Sequence, residues 1–576
     1  MNKRFQKLPF ILELVFNGAF IFLYAFYKGN RIKTPLVSNE MVEVVLQSLA
    51  WAAPLFVLFS IVSFFLRSEN VEEFFRKYVF SLIVFFPMLI TYGDVQFTFW
   101  LAAVHLFSSV LSIYELKPEN HEEGQDYVLG MLEKIRLAPA QIVILSFSAI
   151  ILIGTLLLAL PISAAEGKSI SFIDAFFMAT SATCVTGLST VSLVDNFSFV
   201  GQSIVLVLLQ IGGLGYMTLH SSMMILLGKS MAVKNQVMMQ DLLDITSMSD
   251  LIAMIVDIIK YTIVIEFCGA IILTFAFSFE GYEFGQALYF GFFHAISAFC
   301  NAGFALFNDS LENFAYNPVI SNTIAILILL GGLGFIVLKE VELVLRGKKK
   351  IVNLSVHSKV VFTTTFSLVL LVAVYIFFSE YLHSLKDLSF WQQLQVSFFQ
   401  SVTTRTAGFN TISLSSLFPH TLYLFVLVMF IGANPGSCGG GIKTTTFAIL
   451  FQSVRATLKG KDRVEFFDRT LPNVLVVRAI SIIVISLMIC SAFILLLMRI
   501  ETEHSFLSIF FEVVSAFATV GLSLGITPYL TVAGKAVIIV LMFIGRIGPL
   551  TMALAIGQKK EEAGKFKYPT GRIMIG

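Results

Sequence analysis

The sequence predicts an all-α polytopic membrane protein whose main body repeats a helix–pore loop–helix unit four times around a central pore. Three observations carry this reading. Of the 576 residues, 57% are hydrophobic and 13% charged, whereas about a quarter are charged in soluble domains. Several apolar runs exceed the roughly 18–20 residues that cross a bilayer. A short polar stretch around a glycine also returns four times, as TSATCVTGL, ISAFCNAGF, SVTTRTAGF and VSAFATVGL, placing Gly187, Gly303, Gly408 and Gly521 in equivalent positions.

Residues 1–115 read as an N-terminal transmembrane extension of about four extra helices, at roughly 9–27, 44–66, 78–93 and 98–115. Nothing at its start reads as a cleavable signal peptide. A polar linker follows at 116–140. The four repeats are then 141–230, 231–346, 347–470 and 471–576, the last including the C-terminal tail.

Spacing supports the repeat. The first glycines lie 116, 105 and 113 residues apart, and each is followed 25, 28, 24 and 24 residues later by a second, at Gly212, Gly331, Gly432 and Gly545. Two markers that keep step through four cycles indicate internal repetition. The linkers between repeats are basic, with Arg346, Lys348, Lys349 and Lys350 in one and Arg455, Lys459, Lys461, Arg463 and Arg469 in another. The tail adds Lys559, Lys560, Lys565 and Lys567. The positive-inside rule therefore makes the linkers cytoplasmic and brings the glycine stretches in from outside. Lys28 to Lys33 would then be external, against the rule.

The segments before the glycines, such as 171–183 and 389–404, are helical in pattern but too short to span. A short helix followed by a turn is a re-entrant loop. Its unpaired backbone groups are tolerated only where they line a watery cavity or other protein. Four such loops around one axis place carbonyl oxygens in rings that replace the hydration shell of a monovalent cation. The pore helices add their negative C-terminal ends. The competing structural reading is that these glycines only allow close helix packing.

The five cysteines, Cys184, Cys268, Cys300, Cys438 and Cys490, lack CxxC spacing and lie in or beside apolar segments. They read as buried free thiols. A formal net charge of +2 gives no reason to expect a nucleic-acid partner.

The unit repeated four times resembles the Trk/Ktr/HKT superfamily of potassium transporters over about residues 141–576. ATCVTGL, FCNAGF, TTRTAGF and FATVGL resemble its filter loops. GANPGSCGGGIKTTT, GRIGPLT and YPTGRIMIG are similar to the Ktr-type membrane subunit. The resemblance implies a selectivity filter formed by Val185, Thr186, Gly187, Asn301, Ala302, Gly303, Thr406, Ala407, Gly408, Thr519, Val520 and Gly521. The carbonyls of Thr186, Gly187, Ala302, Gly303, Ala407, Gly408, Val520 and Gly521 would hold potassium. Four filter glycines imply potassium preference. The absence of a full TVGYG implies a short filter of moderate selectivity.

The run 432–441 contains a proline and five glycines, so no regular helix survives there. Family resemblance makes Gly432, Asn434, Pro435, Gly436, Gly439, Gly440 and Gly441 an intramembrane gate loop below the filter; a merely kinked helix is the alternative. Arg546 lies within the last apolar run, where a charge is costly unless it faces water or a partner. Resemblance places it in the pore under the gate; a helix-end arginine reaching the interface is the alternative. Glu266 reads as a buttress, Asp174 as a helix cap, Arg405 as a prop behind the third loop, and His294 as a packed core histidine. The glycines of GGLGY and GGLGF are expected within long helices and read as helix-packing sites.

The function expected is potassium uptake across a bacterial cytoplasmic (inner) membrane by a subunit that is not an enzyme and carries no cofactor, with sodium a candidate activator. Implied partners are a second copy, the lipid bilayer and a cytosolic ring of nucleotide-binding regulatory (RCK-type) proteins. Two other classes compete: the ion-binding subunit of a potassium-pumping P-type ATPase complex, and a proton-coupled solute carrier.

Overall fold

A computed structural model describes residues 15–21, 23–24, 39–65, 95, 98–99, 101–102, 139–215, 248–549 and 551–552. These divide into two units, the first taking in the N-terminal segment with 156–171 and 195–202, the second the remainder. In the first, α1 (Asn39–Phe65) overlaps the span expected at 44–66. Leu46, Ala50, Ala53 and Val57, repeating every three or four residues down one face, are buried with Phe20, Tyr24, Phe99 and Ala102. The spans expected at 9–27 and 98–115 are described only in part. The span expected at 78–93, nearly all of the 116–140 linker and the closing YPTGRIMIG lie outside the described residues.

Helices of 11 to 32 residues make up most of the rest of the described chain. The order is α2 (Pro139–Leu158), α3 (Phe172–Thr183), α4 (Phe199–Leu214), α5 (Met248–Phe279), α6 (Phe284–Phe299), α7 (Pro318–Leu333), α8 (Phe335–Leu345), α9 (Val356–Glu380), α10 (Phe390–Thr403), α11 (Pro419–Phe430), α12 (Thr444–Leu458), α13 (Asn473–Ile500), α14 (Phe506–Ala518) and α15 (Val532–Ile547). A hairpin of β1 (Glu465–Phe466) and β2 (Arg469–Thr470) joins α12 to α13. Val256–Phe279, Val356–Glu380 and Asn473–Ile500 are long and apolar enough to cross a bilayer.

The short helices α3, α6, α10 and α14 rise only about 18–24 Å at 1.5 Å per residue, less than the ~30 Å hydrocarbon core. Their C-terminal halves are buried: Ala179–Thr183 of α3 and Val513–Ala518 of α14 are all inaccessible or nearly so. Their starts are set locally. Ser389 and Gln392 form a capping box on α10, and the Ser505 side chain accepts from the Ser508 N–H on α14, satisfying donors that a helix start leaves unpaired.

Carboxylates close three of the long-helix ends. Glu380 accepts from the Phe418 N–H at 3.1 Å and Thr421 Oγ1 at 2.6 Å. Glu501 accepts from the Thr531 N–H at 2.8 Å and Thr531 Oγ1 at 2.6 Å. Glu280 accepts from Asn317 Nδ2 at 2.5 Å. Each residue on the donor side lies at or beside the start of α11, α15 or α7, where negative charge is favoured.

Two sequence expectations need correction. The run through GGLGF is not one helix: α7 and α8 meet at 107°, because Gly334 turns the chain with φ 93. Cys268 is exposed on α5, whereas Cys184, Cys300, Cys438 and Cys490 are buried free thiols.

Candidate functional site

The four glycine stretches come together in the second unit. Each glycine follows the C-terminal end of a short helix within a few residues and takes positive φ: 92 at Gly187, 70 at Gly303, 81 at Gly408 and 91 at Gly521. Two residues earlier the chain is also left-handed, at Val185, Asn301, Thr406 and Thr519, with φ from 51 to 66. For β-branched valine and threonine this conformation is strained, by about 1–3 kcal/mol each. Surrounding bonds hold it. The Thr186, Ala302 and Val520 N–H groups return to the carbonyls of Ser181, Ser297 and Ser515 at 2.8–2.9 Å. Gly187 and Gly521 donate to the hydroxyls of Ser181 and Ser515, both at 3.1 Å. Ser297 and Thr403 donate to the carbonyls of Phe304 and Phe409 at 2.8 and 2.5 Å.

The glycines touch one another in a closed cycle. A Cβ on Gly187 would meet the Ala302 carbonyl oxygen at 2.5 Å, and one on Gly303 the Ala407 oxygen at 2.7 Å. One on Gly408 would strike the Val520 oxygen, and one on Gly521 the Thr186 oxygen. Loop one thus abuts loop two, two abuts three, three abuts four, and four returns to one. On one side of this ring lies a polar cavity of about 380 Å³ bordered by all four glycines, with Ser192, Asn308, Glu312, Asn410 and Ser523 on its walls.

The second glycine markers serve a different end. Gly212, Gly331 and Gly545 lie against the carbonyls of Thr183, Phe299 and Phe517, and a Cβ at any of them would overlap those oxygens. Each contacted carbonyl is four residues before a ring glycine.

The run 432–441 is a loop between α11 and α12. Gly432 N–H donates to Ile442 O at 2.8 Å and Ala433 N–H to Gly440 O at 3.3 Å. Gly439 packs without room for a Cβ against Thr406, and Gly440 likewise against Thr519, so the loop abuts the third and fourth ring segments. Its other side is tied to the α7–α8 break. Cys438 N–H reaches Gly331 O at 3.1 Å, Asn434 Nδ2 reaches Gly332 O at 2.7 Å, and Gly436 O accepts from Phe335 N–H at 2.9 Å. The bend in that run frees the carbonyls that receive the loop. Gly334 lies 2.6 Å, by its would-be Cβ, from Pro435 O. Lys443 Nζ donates to Gly439 O at 2.7 Å.

Arg546 is placed beside this loop. One guanidinium nitrogen donates to Cys438 O and the other to Gly212 O, with Gly213 O at 3.4 Å. One side chain therefore joins α15, the glycine-rich loop and the C-terminal end of α4.

Other sequence candidates have definite partners. Gln210 Nε2 donates to Glu266 Oε1 at 3.1 Å. Asp174 lies in the first turn of α3 and accepts from Lys535 Nζ at 2.7 Å. His294 does more than pack: Nε2 accepts from the Leu306 N–H at 3.2 Å while Nδ1 sits 2.7 Å from Phe290 O. Arg405 is buried beside the third ring segment. Glu512, which sequence reasoning passed over, is buried and accepts from Ser523 Oγ at 2.7 Å and Thr527 Oγ1 at 2.5 Å.

A family model described as TrkH, a cation transport protein, matches residues 134–568. The chain belongs to the TrkH family. Among curated relatives it is similar to the Ktr system potassium uptake protein B of Bacillus subtilis, 38% identical over 448 residues, covering 77% of this chain and 98% of that protein. It is also similar to the potassium/sodium uptake protein NtpJ of Enterococcus hirae, 38% identical over 447 residues with coverages of 77% and 98%. Among solved structures, the potassium transporter TrkH of Vibrio parahaemolyticus superposes with a TM-score of 0.58 at 19% identity, over 88% of this chain and 97% of that one. That likeness shows the TrkH fold. The family match begins after the N-terminal extension.

Proposed function

We propose that this chain is a potassium uptake subunit that conducts the ion through the ring formed by its four glycine loops. The observation that carries the proposal is the closed cycle of contacts from Gly187 through Gly303, Gly408 and Gly521 back to Thr186. The repeats 141–230, 231–346, 347–470 and 471–576 would each supply one quarter. Carbonyls of Thr186, Gly187, Ala302, Gly303, Ala407, Gly408, Val520 and Gly521 replace water around the bare ion. The short helices end at the ring, so their negative ends lower the energy of a cation there. Val185, Asn301, Thr406 and Thr519 set the turn that presents those oxygens.

The gate is the loop 432–441 together with Arg546. In the arrangement described, the arginine's charge opposes a cation leaving the filter, and its bonds to Cys438 and Gly212 hold the loop across the path. Potassium is favoured because the named relatives are potassium uptake proteins. Sodium is a candidate second ion, since one of them is named for both. The bacterial cytoplasmic membrane, a homodimer, a cytosolic RCK-type ring and about four helices in the extension complete the proposal. Neither a pump subunit nor a proton-coupled carrier is favoured by these relatives.

Rubidium flux into proteoliposomes tests the reading. Purified chain should carry rubidium down its gradient without ATP and prefer it to sodium. Flux of neither ion, or vanadate-sensitive flux, would oppose it.

A further inference from the structure

The end of the second unit that carries the basic linker 346–350, cytoplasmic by the positive-inside rule, holds a groove away from the four glycine loops. It is a cavity of about 430 Å³ walled by Val341, Val344, Ile351, Phe362, Phe467 and the stem of Lys359, within the ~300–1,000 Å³ range of small-ligand sites. Its accessible walls are carbon. The hairpin tip closes one side. Phe467 and Asp468 take φ 45 and 62, a left-handed pair that holds the Phe467 ring against the groove.

Lys359 stands over that ring, its Nζ 6.0 Å from the centroid. Neighbouring lysines are neutralised: Lys339 by Asp257 at 3.0 Å, Lys260 by Glu342 at 3.5 Å and Lys349 by Glu340 at 2.9 Å. Among the described residues no carboxylate pairs with Lys359, Lys348 or Lys350. Beside them Leu345, Ile351 and Val352 are 81, 70 and 78% exposed. From Phe362 the apolar surface continues up α9 through Phe366 and Leu370, each more than half exposed. Those residues are one and two helical turns further along a bilayer-crossing helix.

We propose that this groove binds an anionic glycerophospholipid of the inner leaflet. An acyl chain occupies the carbon-walled cavity and the phosphate meets Lys359, with Lys348 and Lys350 close by. A lipid fits because the groove opens onto a surface already facing the bilayer and its unneutralised cations are complementary to a negative headgroup.

The test places a tryptophan in the groove. The full chain carrying Phe467→Trp is reconstituted in phosphatidylcholine vesicles that contain increasing fractions of brominated-acyl phosphatidylglycerol or brominated-acyl phosphatidylcholine. Fluorescence is read as the difference from the parent, which holds Trp51, Trp100 and Trp391. Phosphatidylglycerol should quench the new signal at about fivefold lower mole fraction than phosphatidylcholine, as expected for one basic residue at the surface. Adding Lys359→Gln should abolish that preference while both lipids still quench, which also shows that the variant is folded. Equal quenching by the two lipids in the Phe467→Trp chain would overturn the proposal. Absence of quenching by either would mean that protein, such as a second copy, covers the groove, and would overturn it equally.

Discussion

Arg546 donates a hydrogen bond to the carbonyl oxygen of Cys438, joining the last long helix to the glycine-rich loop. Its second nitrogen reaches Gly212, at the end of α4. A guanidinium forks between two carbonyls in a way an ammonium does not. Charged hydrogen bonds of this kind contribute about 1.5–3 kcal/mol each.

Removing the fork should release the loop. Arg546→Ala is expected to raise rubidium flux roughly tenfold per folded protein, since even ~1.4 kcal/mol shifts a two-state equilibrium tenfold. Arg546→Lys should fall between, keeping the charge and losing one bond. Initial rates in proteoliposomes decide it. Flux unchanged or reduced in both variants would remove the arginine from the gate.

Gly187 has no room for a side chain, because a Cβ would lie 2.5 Å from the Ala302 oxygen. Gly187→Ser should therefore displace that carbonyl and lower the rubidium-to-sodium flux ratio about tenfold, a loss of ~1.4 kcal/mol of discrimination. Flux of each ion measured separately checks this. A ratio equal to the parent's would place Gly187 outside the filter.

Glu312 lines the polar cavity beside the ring and accepts from Asn410 Nδ2 at 2.7 Å. Burial, with Asp309 nearby, holds its carboxyl above the usual carboxylate range. As the pH of the solution in contact with the cavity falls, it loses its negative charge earlier than an ordinary glutamate, and its attraction for cations goes with it. Apparent affinity for rubidium should weaken roughly two- to threefold on acidification. Glu312→Gln should show the weaker affinity at every pH and a flatter profile. A Glu312→Gln profile that overlays the parent's would exclude this role.

Lys535 and Asp174 form a largely buried pair, with side chains 13 and 15% exposed. It fastens α3, and so the first ring segment, to α15. Lys535→Met leaves the carboxylate without that partner and should destabilise the protein by about 3–5 kcal/mol. Lys535→Met combined with Asp174→Leu should recover much of this. Thermal unfolding in detergent reads both, and equal midpoints for the two variants would contradict the pairing argument.

Several parts of the site were legible in the sequence because a repeated constraint marks them. Gly187, Gly303, Gly408 and Gly521 recur in step, and 432–441 is too rich in glycine for a helix. Resemblance pointed to the residues two before each glycine, but their shared left-handed conformation was not legible. Valine, asparagine and threonine occupy these positions, and tertiary bonds force a conformation that local preference opposes. The break at Gly334 was hidden for a related reason. GGLG within an apolar run is a good helix-packing sequence, and only the docking of Asn434 and Cys438 gives the freed carbonyls partners. Glu380 and Glu501 carried a signal that was missed: an acidic residue closing a long apolar run, with threonine near the start of the helix after the next one. The TrkH fold was implied by the resemblance of the four glycine stretches and of 432–441 to that family's motifs, whereas the partners of Arg546 depend on segments more than a hundred residues away.

The most direct measurement is an anomalous difference map from crystals of the protein grown in rubidium. The account predicts a peak inside the cycle of Gly187, Gly303, Gly408 and Gly521, surrounded by the carbonyls of Thr186, Ala302, Ala407 and Val520. Rubidium bound elsewhere in the membrane region, with the centre of that ring vacant at saturating rubidium, would contradict it.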